Sequence, residues 1–248
     1  MARSRADLLI VARGLAESRA NARAAIEAGG VTADGAPVTK ASDLLAEDAA
    51  LEVAPPHPWV SRGGVKLAHA LDQFGVDPAG RICLDIGAST GGFTHVLLAR
   101  GATRIYAVDV GRGQLHASAR GDPRVISLEG HDARALTRDL IPEPPSLIVC
   151  DVSFIGAEKA LAVPLSLAAP EADLIVLIKP QFEAGPRAGK KGVLSESGAR
   201  AAAANAIAAL DGLEGFRIAA ICDSPIRGGD GNLEMLAWAR RAPAWENG

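Results

Sequence analysis

Cys83-Leu-Asp-Ile-Gly-Ala-Ser-Thr-Gly-Gly-Phe-Thr94 decides the fold. Residues 81–86 predict a short buried strand. The chain then turns through Gly87, Gly91 and Gly92 into an apolar helix predicted over 93–100. Glycine admits backbone angles that other residues avoid, and it lets a ligand approach the main chain closely. The amides that open such a helix can receive an anion or a carboxylate. A strand carrying an acid, a Gly-rich turn and a helix make the nucleotide-type binding loop of a doubly wound α/β domain. The spacing is not the dinucleotide GxGxxG, and the chain contains no GxxxxGK[ST].

Downstream, short apolar runs alternate with helical stretches, which predicts a parallel sheet covered by helices. Strands are expected at 105–110, 124–128, 147–152, 174–179, 216–223 and 233–239, with an alanine-rich helix over 199–210. Asp109, Asp132, Asp151 and Lys179 fall at or just past strand ends, the edge where open α/β sheets bind ligands. Asp109 is placed to hold ribose hydroxyls, and Asp132 lies where such folds contact adenine.

Upstream, residues 1–58 read as a separate module. Apolar residues at helical spacing follow Arg5 and stop at Gly14. Ser18 can cap a second helix over 19–28, and Asp34-Gly35 predicts a hairpin turn within 31–38. Leu51-Glu-Val is a last short strand. Prolines at 55, 56 and 58 exclude a helix there and mark the domain boundary. Residues 59–248 form the second domain. Trp59 is expected to pack back on it, and an amphipathic helix containing Val65, Leu67, Ala68 and Leu71 leads into the glycine loop. Lys66 is expected in its first turn, where the helix dipole opposes a cation.

The chain has 248 residues, is 48% hydrophobic and carries a formal charge of -3, so any nucleic-acid surface must be local. Cys83, Cys150 and Cys222 are isolated and strand-like, which predicts buried thiols and neither a disulfide framework nor a metal site. No leader pattern and no membrane-spanning run is visible, so a soluble cytoplasmic protein without membrane partners is expected.

The loop Asp85-Ile-Gly-Ala-Ser-Thr-Gly-Gly-Phe-Thr resembles the S-adenosylmethionine loop of FtsJ-type RNA 2′-O-methyltransferases. That resemblance implies a Rossmann-like methyltransferase sheet, mostly parallel with its last strand antiparallel. It implies S-adenosylmethionine held by Asp85, Gly87, Ser89, Gly91, Gly92, Phe93, Asp109, Asp132 and Asp151. The family's Lys-Asp-Lys-Glu set has matches at Lys66, Asp151, Lys179 and Glu234, with Lys179 as the implied general base. Arg5-x-Asp7, Gly14-Leu15, Ser18-Arg19, Ala22, Ile26, Gly29 to Val31 and Asp34-Gly35 resemble the S4 RNA-binding domain, a small α+β module. By that resemblance Arg3, Arg5, Arg13, Arg19, Arg23 and Lys40 are candidate RNA contacts. Arg62, Lys190, Lys191 and Arg227 are further candidates in the larger domain. Acids outnumber bases in residues 1–58, which weakens the expected field. With Trp-Val-Ser-Arg-Gly, Lys-Pro-Gln-Phe-Glu and Gly-Asn-x-Glu, the whole order resembles the TlyA, or haemolysin A-like, family of ribosomal RNA cytidine-2′-O-methyltransferases. Ribosomal RNA or ribosomal subunits are the implied partners. The other readings are an RNA- or ribosome-binding protein without methyl transfer, and a membrane-active haemolysin.

Overall fold

The computed structural model describes residues 2–54, 57–184 and 193–241. The chain divides into two compact units, Met1–Pro58 and Trp59–Gly248.

In the smaller unit, strand β1 (Arg3–Arg5) leads into helices α1 (Ala6–Ala12) and α2 (Arg19–Glu27). Strands β2 (Val31–Ala33), β3 (Ala36–Pro37), β4 (Leu44–Ala46) and β5 (Leu51–Val53) follow. Ser18 Oγ accepts from Asn21 N at 3.2 Å and so satisfies an amide that the start of α2 leaves free. Asp34 and Gly35 have φ of +51° and +77°, the left-handed pair that a tight hairpin turn requires. The β1–β4 pairing was not legible in the sequence. The apolar spacing converges on Ile10, Ala22, Ile26, Val31 and Val38, a small core of mostly short side chains.

The larger unit opens with α3 (Arg62–Phe74), β6 (Ile82–Ile86), α4 (Gly92–Ala99), β7 (Arg104–Asp109), α5 (Ala117–Arg120) and β8 (Val125–Glu129). It continues with β9 (Leu147–Cys150), α6 (Ala157–Ser166), β10 (Ala172–Ile178), α7 (Pro180–Glu183), α8 (Glu196–Leu210), β11 (Arg217–Asp223) and β12 (Met235–Arg241). Seven strands form one sheet in the order β11-β12-β10-β9-β6-β7-β8. β12 runs antiparallel to both β10 and β11, and the pairs among β6 to β10 are parallel.

Alternation along the central strands splits the core in two. Leu84, Ile86, Tyr106, Val108, Ile148 and Val176 face α6 and α8, represented by Leu161 and Ala203. Cys83, Ile105, Ala107, Val149 and Ile175 face α3 and α4, represented by Leu67, Leu71 and Leu97. Both faces are covered, which is why these strands read as unbroken apolar runs. Each fully buried Leu or Ile contributes roughly 1.5–3 kcal/mol of transfer free energy. The chain winds outward from β6 to β8, then returns to β9 on the other side. β6 therefore flanks the topological switch point, where such sheets bind ligands.

Three local expectations need correction. Lys66 lies in the second turn of α3, because the helix already starts at Arg62. β9 and β10 end one residue before Asp151 and Lys179, which releases both side chains from the ladder. Cys222 is half-buried, because β11 is an edge strand whose residues alternate between exposed and partly covered. Cys83 and Cys150 are buried.

Candidate active site

Gly87 follows β6 with φ of +82°, and a Cβ there would lie 2.6 Å from the Asp151 carbonyl oxygen. Only glycine lets the β6 and β9 ends approach this closely. Ser89 sits at φ +48° and donates its amide to Asp109 Oδ2 at 2.9 Å. Gly111 N donates to the other Asp109 oxygen at 2.7 Å, so one carboxylate ties the loops after β6 and β7 together. Beside them lies a cavity of about 580 Å³, lined by Gly87, Ser89, Asp109, Asp132 and Asp151 among the expected residues. Gln114, His131, Arg134, Ser153 and Phe154 line it as well, and no sequence motif singled them out. Asp132 caps the turn 133–135 and pairs with Arg134 at 2.6 Å, which holds its carboxyl down at about 2.

Asp85, Gly91, Gly92 and Phe93 are not part of that lining. Gly91 starts α4 at φ +91°. A side chain at Gly92 would run into Ser61 Oγ, so this glycine seats the segment that enters α3. Phe93 is buried in the core on the α3 side of the sheet. Asp85 is fully buried, and Thr94 Oγ1 donates to its Oδ2 at 2.6 Å. Burial pushes this carboxyl up to about 7, and the neighbouring charges of Asp151 and Asp109 act in the same direction.

The two lysines each hold a carboxylate. Lys66 Nζ pairs with Glu234 Oε2, both side chains being almost wholly buried. Lys179 Nζ lies 2.6 Å from Asp151 Oδ1 and donates to Ser153 Oγ at 2.8 Å. A Cβ at Gly63, in the first turn of α3, would sit 3.5 Å from Asp151 Oδ2. Lys66 lies three residues further on the same helix face, so α3 carries one pair and abuts the other. Glu234 is delivered by the turn 227–232, where Gly228 N bonds Asn232 O at 2.9 Å. A Cβ at Gly228 would meet Glu234 Oε1 at 2.6 Å.

The segment between Asp151 and α6 is pinned at both ends. Glu183 of α7 accepts from Ala157 N at 3.0 Å. Phe154 stands 91% exposed at φ +69°, its ring 5.1 Å from Phe182. An exposed aromatic held in a left-handed conformation is costly for stability alone.

Among the candidate RNA contacts, Arg5, Arg19 and Arg23 converge on the buried carboxylate of Asp7 at 3.0, 2.9 and 3.3 Å. Arg5 first, then Arg19 and Arg23, hold Asp7 far below the usual carboxylate range. Arg3 and Lys40 are exposed. Arg13 is engaged internally: its guanidinium donates to the carbonyls of Ala49 and Glu47. Arg62 donates to the Arg227 carbonyl. Lys190 and Lys191 lie outside the described residues. Among the described residues no group of three His, Cys, Asp or Glu is placed to hold a metal ion, and no helix is long and apolar enough to cross a membrane.

A doubly wound sheet with a reversed last strand, and a cavity against its glycine loop, define a Rossmann-like methyltransferase domain. A structure from Listeria monocytogenes described as an S-adenosylmethionine-dependent methyltransferase shares this fold, with a TM-score of 0.52 at 14% identity over 73% of this chain and 99% of that one. The FtsJ-like methyltransferase family matches residues 59–241, and the S4 domain family matches residues 4–50. The Mycobacterium tuberculosis 16S/23S rRNA (cytidine-2′-O)-methyltransferase TlyA is 44% identical over 96% of this chain and 90% of its own. Hemolysin A of Brachyspira hyodysenteriae is 39% identical over 94% of this chain and 98% of its own. A hemolysin-type protein of Streptococcus thermophilus superposes with a TM-score of 0.75 at 36% identity, covering 98% of this chain and 90% of that one. The chain belongs to the FtsJ-like methyltransferase family and, within it, to the TlyA group that carries an S4 domain.

Proposed function

We propose that this chain transfers a methyl group from S-adenosylmethionine to the 2′-oxygen of cytidine in ribosomal RNA, with Lys179 as general base. The observation that carries the reading is the position of Lys179 Nζ. It is held by Asp151 and Ser153, and both of these residues line the cavity. That position, beside two residues of the cavity wall, supports Lys179 as the proton acceptor. Membership of the FtsJ-like family and the described activity of the M. tuberculosis relative support ribosomal RNA as substrate.

The residues fit the cofactor. The cavity has the size expected of a cofactor pocket. Gly87 lets the β6 and β9 ends meet at its wall, and Ser89, Asp109, Asp132 and Asp151 supply its polar groups. When bound, S-adenosylmethionine supplies an electrophilic methyl carbon on a cationic sulfur. Lys179 Nζ, neutral once its ammonium proton has passed to Asp151 or to solvent, takes the proton of the ribose hydroxyl as that oxygen attacks. Lys66 and Glu234, fixed against each other, orient the hydroxyl and exclude water. The protein contributes alignment and proton transfer, effects worth several orders of magnitude in rate. In the smaller unit, Arg3, Arg5, Arg19 and Arg23 contact RNA phosphates. Phe154 offers an exposed aromatic face beside the base. Action on ribosomal RNA makes the cytoplasm the place of work.

The test is transfer of labelled methyl from S-adenosylmethionine to ribosomal subunits that lack the modification, mapped by nuclease digestion. Label on a cytidine 2′-oxygen is expected. Label on a base, or none on either subunit with cofactor binding intact, overturns the reading.

A further inference from the structure

Asp85 has no part in the mechanism above, yet it is the most deeply buried acid of the larger unit and stands next to its glycine loop. Its side chain lies between β6 and α4 with no accessible surface. Thr94 Oγ1 satisfies one carboxyl oxygen at 2.6 Å, and the other, Oδ1, accepts no hydrogen bond. No lysine, arginine or histidine among the described residues pairs with it. The acids that face it stand at the ends of the two neighbouring strands. Asp109 closes β7, and Asp151 follows β9, with its charge held by Lys179. In the sheet, Asp85 is in register with Ala107 and Val149, so both flanks of the strand are apolar at its own level. The remaining titratable groups near it are the thiols of Cys83 and Cys150, which burial keeps protonated.

An anion in this setting lacks a cation, lacks a donor for one oxygen and faces two like charges. Each factor favours the neutral acid. Asp85 is two residues before Gly87, which lines the cavity. A positive charge arriving there reverses the balance, because an opposite charge favours ionisation. S-adenosylmethionine carries one more positive charge than the demethylated product it leaves behind.

We propose that Asp85 couples cofactor binding to loss of its own proton, so that the cationic methyl donor is held more tightly than the spent product. The inference rests on the reading that the methyl donor occupies the cavity beside Gly87. The carboxyl loses H⁺ to buffer as the cation enters, and regains it once methyl transfer has removed the positive charge from sulfur. The mechanism thus contains a release signal that depends on charge alone. It acts through the field at the cavity, so Asp85 is a positioning residue and not a catalytic one.

Calorimetric titration of the whole chain with S-adenosylmethionine, in buffers of different ionisation enthalpy at pH 7, counts the protons released. Roughly half a proton more is expected for the donor than for S-adenosylhomocysteine, given a carboxyl near 7. Between pH 6 and 7.5 the donor's Kd should fall by about eightfold while that of the product stays level. In Asp85→Asn the amide oxygen still accepts from Thr94, so donor binding should persist with the proton release removed. The cofactor's own α-amino group titrates near 8, so wild type and variant are compared with the same ligand. Thr94→Val removes the hydroxyl hydrogen bond that favours the carboxylate, keeps the smaller backbone one from the same residue, and should raise the proton release at pH 7 above the wild-type value. Equal release from wild type and Asp85→Asn, or release of the same size with donor and product, overturns the proposal. Absence of any binding heat from either ligand would instead sink the cofactor reading itself.

Discussion

Lys66 of α3 and Glu234 ahead of β12 form a buried ion pair across 168 residues of chain. With side-chain exposures of 9% and 3%, the pair has given up most of its hydration. A buried pair adds little net stability, but removing one member leaves an uncompensated charge and costs roughly 3–5 kcal/mol. Lys66→Ala and Glu234→Ala should each lower the urea midpoint strongly and abolish methyl transfer. The double variant Lys66→Met with Glu234→Leu should recover most of the stability and none of the activity. Recovery of activity in that double variant would reduce the pair to a structural tie.

Lys179 offers the complementary case at the cavity rim. It has two partners, Asp151 at 2.6 Å and Ser153 at 2.8 Å. Ser153→Ala removes the neutral partner and leaves the ion pair. We expect a fall in kcat of about tenfold, larger than any change in cofactor affinity, since Ser153 also lines the cavity. Lys179→Met should cost on the order of 10²–10⁴ in kcat, the range of a general base. Single-turnover methyl transfer separates these outcomes from slow product release. Wild-type turnover by Lys179→Met would exclude the assignment.

Stability should depend on pH in an unusual direction near neutrality. Asp85 holds its proton in the folded chain up to about 7 and loses it near 4 when unfolded. Between those values the native state binds more protons, so stability falls as pH rises across the window and levels off above it. The loss is about 4 kcal/mol at most. Glu183, raised by burial, acts in the same direction. Urea unfolding at pH 5 and pH 8 should show wild type weaker at pH 8 and Asp85→Asn with a shallower difference. Asp7 works the other way. Its carboxyl is held low by Arg5, Arg19 and Arg23, so its contribution is present above pH 4 and is lost at stronger acidity.

The arginines of the smaller unit divide into two kinds that sequence could not separate. Arg19 and Arg23 are half-exposed around Asp7, whereas Arg13 is bound to the carbonyls of Glu47 and Ala49. Removing a phosphate contact lowers the slope of log affinity against log salt by about 0.7–0.9. Arg19→Ala or Arg23→Ala should each show such a drop in RNA binding. Arg13→Ala should lower thermal stability and leave the slope unchanged. A reduced slope with Arg13→Ala would return that residue to the contact set.

How far the sequence could be read follows the range of the forces involved. The central strands were legible because burial on both faces writes continuous apolar runs, and the glycine turn because Gly87 is forced by a backbone clash. The four charged residues of the site could be named through family resemblance. Their pairing could not: which lysine takes which acid depends on contacts across 168 residues in one case and on loop geometry in the other. Asp85 is named as a cofactor ligand by the resemblance of its loop to the FtsJ-type S-adenosylmethionine loop. It lies under the loop because the alternation of β6 turns it toward α4, where Thr94 receives it. Among the acids in excess in the smaller unit, Asp7 is buried and offsets the charge of the arginines around it, a placement that a count of residues does not give. Phe154 gave no signal, because exposure and a left-handed backbone cannot be read from a single aromatic in a loop.

Gly92 supplies a last test of how the lead-in to α3 is seated. A side chain there meets Ser61 Oγ, and the Gly64 amide lies 3.1 Å from the same point. Gly87 is different: its Cβ would strike the Asp151 backbone, and its φ of +82° disfavours any other residue. The Ser61 hydroxyl can be deleted, whereas the Asp151 carbonyl cannot. Gly92→Ala should therefore lower stability and cofactor affinity together, with Ser61→Ala in the same chain restoring a large part of both. Gly87→Ala should lose cofactor binding with no second-site relief from Ser61→Ala. Thermal unfolding with and without S-adenosylmethionine reads both effects, since a ligand that binds only the folded chain raises Tm. Failure of Ser61→Ala to relieve Gly92→Ala would move the role of Gly92 from seating α3 to contacting the cofactor directly.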